Sequence, residues 1–242
     1  GRPISKWRTF SPARSIASAF EVSSNTAFAR LVMYLTPEKV VEMAHRVGIT
    51  SDLPETGALT LGAGSVNPLE MADAYATIAN GGIHYDAECI EQILDKDGNV
   101  VVDNTNPEGE RVLSEEVACA AIKVMEGVVT RGTGTPARLA NGQPAAGKTG
   151  TSENYMDSWF CGITPQMAVA IWLGARADYV NAKPIIPTCT SVFSGFMDRI
   201  LAGQPIEQFP TAAAPKYTAN FSNSQYHIGG SYGDGEEDPP DE

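Results

Sequence analysis

The run Gly147-Lys148-Thr149-Gly150-Thr151 sets one ammonium and two hydroxyls between glycines. It follows Ala145-Ala146 and precedes polar Ser152-Glu153-Asn154, which reads as a strand leading into a loop. On a strand edge, glycines let a ligand backbone approach closely, as in strand addition. The Lys148 ammonium and the Thr149 and Thr151 hydroxyls can then hold a carboxylate. The Thr151 N–H, if turned outward, can meet a developing oxyanion. The plain alternative is an edge strand with a solvating lysine, since short motifs recur by chance. A second group is Ser23-Ser24-Asn25, on a turn between two helical runs. There a hydroxyl at Ser23 can relay a proton and the Asn25 amide can hold a substrate amide. The alternative is that these residues only cap the next helix.

A nucleotide-binding P-loop must be weighed too, because Gly142, Gly147, Lys148 and Thr149 satisfy its spacing formally. That loop needs an apolar strand before it and a helix starting at its lysine. Here polar Ala137-Arg138-Leu139-Ala140-Asn141 precedes, and Gly150-Thr151 leads to a loop and a strand. The context excludes the nucleotide reading.

The elements that must position these groups are legible from punctuation. Helical runs are predicted over Ser11 to Glu21 and over Thr26 to Leu35, and a third starts at Thr36-Pro37 and closes at Gly48. Asn67-Pro68-Leu69-Glu70 starts a further helix with a capping box, buries Met71, Ala74, Tyr75 and Ile78, and stops at Gly81-Gly82. A β pair is expected between Ile83 to Leu94 and Val100 to Val102 around a Gly98 turn. Ser114 caps a long helix that ends in the loop Arg131 to Pro136. Strands are expected over Gln143 to Thr151, Ser158 to Ile163 and Met167 to Ala175, with a closing helix through Phe193, Phe196, Met197 and Ile200. Helices first, then an antiparallel sheet and a closing helix, give an α+β domain.

Composition narrows the partners. The 242 residues carry a net charge of −12, and six of the 29 acids crowd into the last nine residues. No broad phosphate-binding face is expected, and no nucleic-acid partner. The longest apolar run, Met167 to Ala175, is too short to span a bilayer, so no transmembrane segment is expected in this chain. Four scattered cysteines and three scattered histidines make no metal-ligand pattern, so neither a metal nor a cofactor is expected. Cys161 lies in an apolar run, where a buried free thiol is the default.

Taken together, Ser23-x-Asn25 and Lys148-Thr149-Gly150-Thr151 resemble the motifs of the transpeptidase domain of penicillin-binding proteins. Leu61-Gly62-Ala63-Gly64, the stretch Val66 to Gly82, Gly127 to Thr135, and Asp157-Ser158-Trp159-Phe160 are similar to the bifunctional class A members. The resemblance covers roughly residues 11 to 210. It implies a penicillin-recognising, β-lactamase-like fold, with residues 1–218 the C-terminal part of the transpeptidase domain and 219–242 an acidic, disordered tail. It further implies that Ser23, Asn25, Lys148 and Thr151 are catalytic and that Thr149, Gly150 and Thr151 bind substrate. Trp159 and Phe160 are expected in the core. The implied partners are peptidoglycan stem peptides and β-lactam antibiotics. The implied place is the extracytoplasmic face of a bacterial membrane, with the anchor outside this chain.

One departure stands out. The family nucleophile is the serine of an S-x-x-K motif that precedes the Ser-x-Asn motif. Among Ser and Thr residues here only Thr36-Pro37-Glu38-Lys39 has that spacing, and it follows Ser23 and reads as a helix start. No nucleophile is therefore expected in this chain. The other part of the domain is expected as its partner, and residues 1–242 alone are expected not to be acylated. The alternatives are a D,D-carboxypeptidase or β-lactamase and, from another class, a non-catalytic muropeptide-binding module.

Overall fold

The computed structural model describes residues 14–175 and 188–217 together with Phe221 and Ser224. The beginning of the first predicted helix, and the predicted tail apart from those two residues, lie outside the described residues. The chain forms α1 (Ile16–Glu21), α2 (Asn25–Leu35), α3 (Pro37–Arg46), α4 (Pro68–Ala79), α5 (Glu115–Thr130) and α6 (Cys189–Ile200). The strands are β1 (Ile83–His84), β2 (Gln92–Leu94), β3 (Val100–Asp103), β4 (Glu110–Arg111), β5 (Ala146–Thr151), β6 (Asp157–Thr164) and β7 (Met167–Gly174).

The main sheet is antiparallel in the order β5-β6-β7, so β5 is an edge strand among the described residues. Side chains alternate between faces along each strand, and both faces are buried. On one face Phe160 packs with Phe193, Met197 and Leu201 of the α6 region, joined by Val169, Ile171 and Leu173. On the other, Ala146 and Ile163 meet Ile122 and Met125 of α5, with Phe20, Tyr75 and Ile78 around them. This three-layer arrangement is the expected α+β domain, and wholly buried Phe160 stands in its core as expected. Trp159 is only half-buried, its ring 6.2 Å from that of Trp172.

The Asn67 capping box forms as the sequence predicts, with Asn67 Oδ1 accepting from the Glu70 N–H and Glu70 Oε1 accepting from the Asn67 N–H. The expected single strand over Ile83 to Leu94 does not form. Its first residues pair with β4 and its last with β3, giving two separate two-stranded sheets. Exposed Glu88 and Glu91 sit in the break, where no apolar alternation holds the strand against a core. Likewise β5 starts at Ala146 rather than Gln143, because the Gln143 side-chain amide instead clamps the backbone of Glu207.

Candidate active site

The turn between α1 and α2 has an exact hydrogen-bond signature. The Ser24 N–H donates to Ala19 O (2.9 Å) and the Ser23 N–H to Phe20 O (3.0 Å), which is a Schellman motif. Its left-handed position, usually glycine, is Ser23 with φ 55°. A side chain in that region costs about 1 kcal/mol. The hydroxyl has a partner that a glycine would forgo, for Lys148 Nζ donates to Ser23 Oγ at 2.8 Å.

Lys148 reaches that turn because of strand parity. It shares the face of Ala146, the face covered by α1 and α5, and its ammonium stands 5.6 Å from the Phe20 ring centre. It also donates to Thr149 O at 2.8 Å. Among the described residues no carboxylate pairs with it. Burial therefore lowers its pKa to about 8, because the charged form loses hydration without an anion in exchange.

β5 offers its other edge. The Ser152 N–H donates to Asp157 O at 3.0 Å, on the β6 side. Backbone groups alternate sides along a strand, so the Thr151 N–H faces the edge, where no strand among the described residues pairs with it. Thr149 and Thr151 are half-buried and exposed there. Gly150 lies opposite Trp159, and a side chain at 150 would first press on the Trp159 Cβ, 3.1 Å away. Asn25 is the first residue of α2, one residue into the helix from where the sequence placed it, and its side chain is exposed. Ser24 holds the cap position without a side-chain capping bond, so the turn does not follow the capping alternative.

Three participants were not singled out from the sequence. Thr133 Oγ1 lies 2.7 Å from Thr149 Oγ1, which adds a hydroxyl from the loop after α5. Glu21, the last residue of α1 and nearly buried, receives Arg131 Nη2 at 2.6 Å and Nε at 2.9 Å. Its carbonyl accepts from the Thr133 N–H at 3.1 Å. Room for these contacts comes from glycine: a Cβ at Gly127 would collide with the Glu21 carboxylate, and one at Gly132 with the Glu21 carbonyl. A helix-interior glycine such as Gly127 costs about 1 kcal/mol relative to alanine. The Gly127 to Thr135 run was a sequence signal for the loop. The Glu21–Arg131 pair spans 110 residues and has no local signature.

The chain's sequence matches the profile described as "Penicillin binding protein transpeptidase domain" over residues 1–185. The chain belongs to this family. Penicillin-binding protein 2D of Bacillus subtilis is 30% identical over 84% of this chain and 32% of that protein. Penicillin-binding protein 1A of Mycolicibacterium smegmatis is 29% identical over 81% of this chain and 28% of its own length. The chain thus spans about a third of the curated relatives it matches. Among solved structures, PonA1 of Mycobacterium tuberculosis in complex with penicillin V superposes with a TM-score of 0.74 at 27% identity, covering 82% of this chain and 59% of that one. The penicillin-binding protein fold expected from the motifs is thereby established. Among the described residues no helix is long and apolar enough to cross a membrane.

Proposed function

We propose that this chain carries the Ser-x-Asn and Lys-Thr-Gly elements of a serine-type D,D-transpeptidase, which cross-links peptidoglycan stem peptides and is acylated by β-lactams. The observation that carries the reading is the Lys148–Ser23 hydrogen bond of 2.8 Å beside the unpaired edge of β5. A D-Ala-D-Ala stem peptide lies along that edge as an added strand. Its terminal carboxylate is received by the Thr149 and Thr151 hydroxyls and the Lys148 ammonium. The Asn25 amide holds the peptide from the opposite wall, and Gly150 leaves the edge low. The Thr151 N–H donates to the scissile carbonyl oxygen as charge builds on it.

The attacking serine belongs to an S-x-x-K segment outside residues 1–242. Its hydroxyl gives its proton to the lysine of that segment, and its oxygen forms an ester with the penultimate D-Ala as the peptide C–N bond breaks. The departing amine takes a proton, which Lys148 passes through Ser23 Oγ. A pKa of about 8 suits this role, since the ammonium is populated at neutral pH yet gives up its proton readily. An amine of a second stem peptide then attacks the ester, its proton returning to Lys148 through Ser23 Oγ while the released serine oxygen recovers its own from the S-x-x-K lysine. The parent protein is a bifunctional glycosyltransferase and transpeptidase at the extracytoplasmic face of the membrane. The resemblance of the Leu61 to Gly82 stretch and the class A relatives support that placement.

The test is intact-mass measurement of the whole protein with a penicillin, followed by turnover of a D-Ala-D-Ala peptide with and without an acceptor amine. A mass gain equal to the drug, with product that depends on the amine, is the expected result. Drug labelling with release by water alone overturns the transpeptidase in favour of a carboxypeptidase or β-lactamase. No labelling of the whole protein overturns the enzyme reading and favours a muropeptide-binding module.

A further inference from the structure

The two walls of the site are joined by a closed ring of contacts. Ser23 Oγ meets Lys148 Nζ; the next residue, Thr149, meets Thr133 through their hydroxyls; and the Thr133 N–H returns to the Glu21 carbonyl, two residues before Ser23. Within this ring the Ser23 turn and the Thr133 loop are otherwise joined by a single backbone bond. What fixes that joint is the Glu21 carboxylate, gripped through both its oxygens by Arg131.

From this geometry we infer that Glu21 and Arg131 are positioning residues for acyl transfer, setting the gap between Ser23 and Lys148 without touching substrate. Three features of the pair fit a spacer rather than a surface ion pair. Glu21 is 7% exposed although the Arg131 side chain is 67% exposed, so the carboxylate end of the pair is fixed by the packing around α1 while the guanidinium closes over it. The contact is two-pronged, and a planar guanidinium fixes direction as well as distance. Both flanking positions that would crowd the Glu21 residue, 127 and 132, are glycine. Because Glu21 ends α1 and Ser23 occupies the strained turn directly after it, a shift of the carboxylate carries the Ser23 hydroxyl with it. A displacement near 1 Å is enough to slow a positioned reaction by about a hundredfold.

This inference rests on the transpeptidase reading, and its test separates the two. The whole protein is compared with its Glu21→Gln, Arg131→Gln and doubly substituted variants. Penicillin acylation is resolved into non-covalent affinity and the first-order acylation rate, and thermal unfolding is followed alongside. Expected is a ten- to hundredfold fall in the acylation rate for each single variant, with affinity changed less than about threefold. The double variant should be no slower than the slower single one, because both remove the same joint. Arg131→Lys should recover part of the rate, since it restores the charge but not the fork. All rates are read at a temperature where circular dichroism shows the variant folded, and the neutral double variant covers the case in which a single one, left with an unpaired charge, does not fold. Additive losses in the double variant, or acylation rates equal to wild type, overturn the inference while leaving the enzyme reading intact. A wild-type protein that is never acylated overturns the enzyme reading itself.

Discussion

Two charges, a buried one on Glu70 and a half-buried one on Lys148, set the character of this domain. Glu70 is 5% exposed and has no cation beside it among the described residues, yet its carboxylate accepts from the N–H and hydroxyl of both Thr50 and Ser51 and from the Asn67 N–H. Burial alone would raise its pKa, but these donors together carry it from 4.5 down to about 2. Lys148 is also withdrawn from water, but among the described residues it donates to two oxygens and meets no anion, and its pKa falls from 10.5 to about 8. Every lone pair of Glu70 is in use, so the charge is locked and serves the fold. Lys148 keeps bonding capacity in reserve and a proton that is easily given up. A charge satisfied in place builds structure, and one left short of partners is poised for a ligand.

The sharpest way to break this contrast is to delete both charges. Lys148→Ala should slow penicillin acylation of the whole protein by about a thousandfold or more while leaving the unfolding temperature within a few degrees of wild type. Glu70→Ala should do the reverse. Five donors lose their acceptor, at a cost of about 3 kcal/mol or more, lowering the melting temperature by roughly 6–12 °C with little change in acylation rate below the transition. Equal effects of the two variants on both readouts would end the comparison.

The pH dependence sharpens it. The Glu70 pKa is depressed on folding, so its contribution to stability is complete above about 4.5 and is lost as pH falls towards about 2. The Lys148 pKa is also depressed, so the slope has the same sign, but here the charged form is the one that costs stability. The unfolded chain binds the extra proton between about 8 and 10.5, so stability rises with pH through that window. Affinity for a ligand carboxylate should fall as pH rises through about 8, where the folded protein loses the ammonium. Denaturant unfolding and penicillin binding against pH measure both, and Glu70→Gln and Lys148→Met should flatten the respective windows. The smallest effect is expected at Ser23→Gly. Removing the side chain from a left-handed position should stabilise the fold by about 1 kcal/mol, yet slow acylation ten- to a hundredfold. A variant that gains neither stability nor loses rate would show that Ser23 is there for some other reason.

Much of this was legible before any fold was known. Pro37, the Asn67–Glu70 capping box and the glycines at 81 and 82 mark helix ends through local backbone chemistry, which a sequence carries directly. Short strand runs set off by turn residues announced an antiparallel sheet, and the Ser-x-Asn and Lys-Thr-Gly-Thr runs named the groups of the candidate site. Where packing rather than local preference decides, reading the sequence went astray: the Ile83 to Leu94 segment split between two partners, and Gln143 left the strand to hold Glu207.

The sequence by itself determined which side chains are available for chemistry and which turns and helix ends present them, because those choices depend on neighbours a few residues away. Tertiary structure decided that Lys148 is desolvated, that the Thr151 N–H faces away from β6, and that Glu21 is held by an arginine far along the chain. Those properties belong to distances between remote segments, and no local pattern encodes a distance that only the packed sheet and helices create.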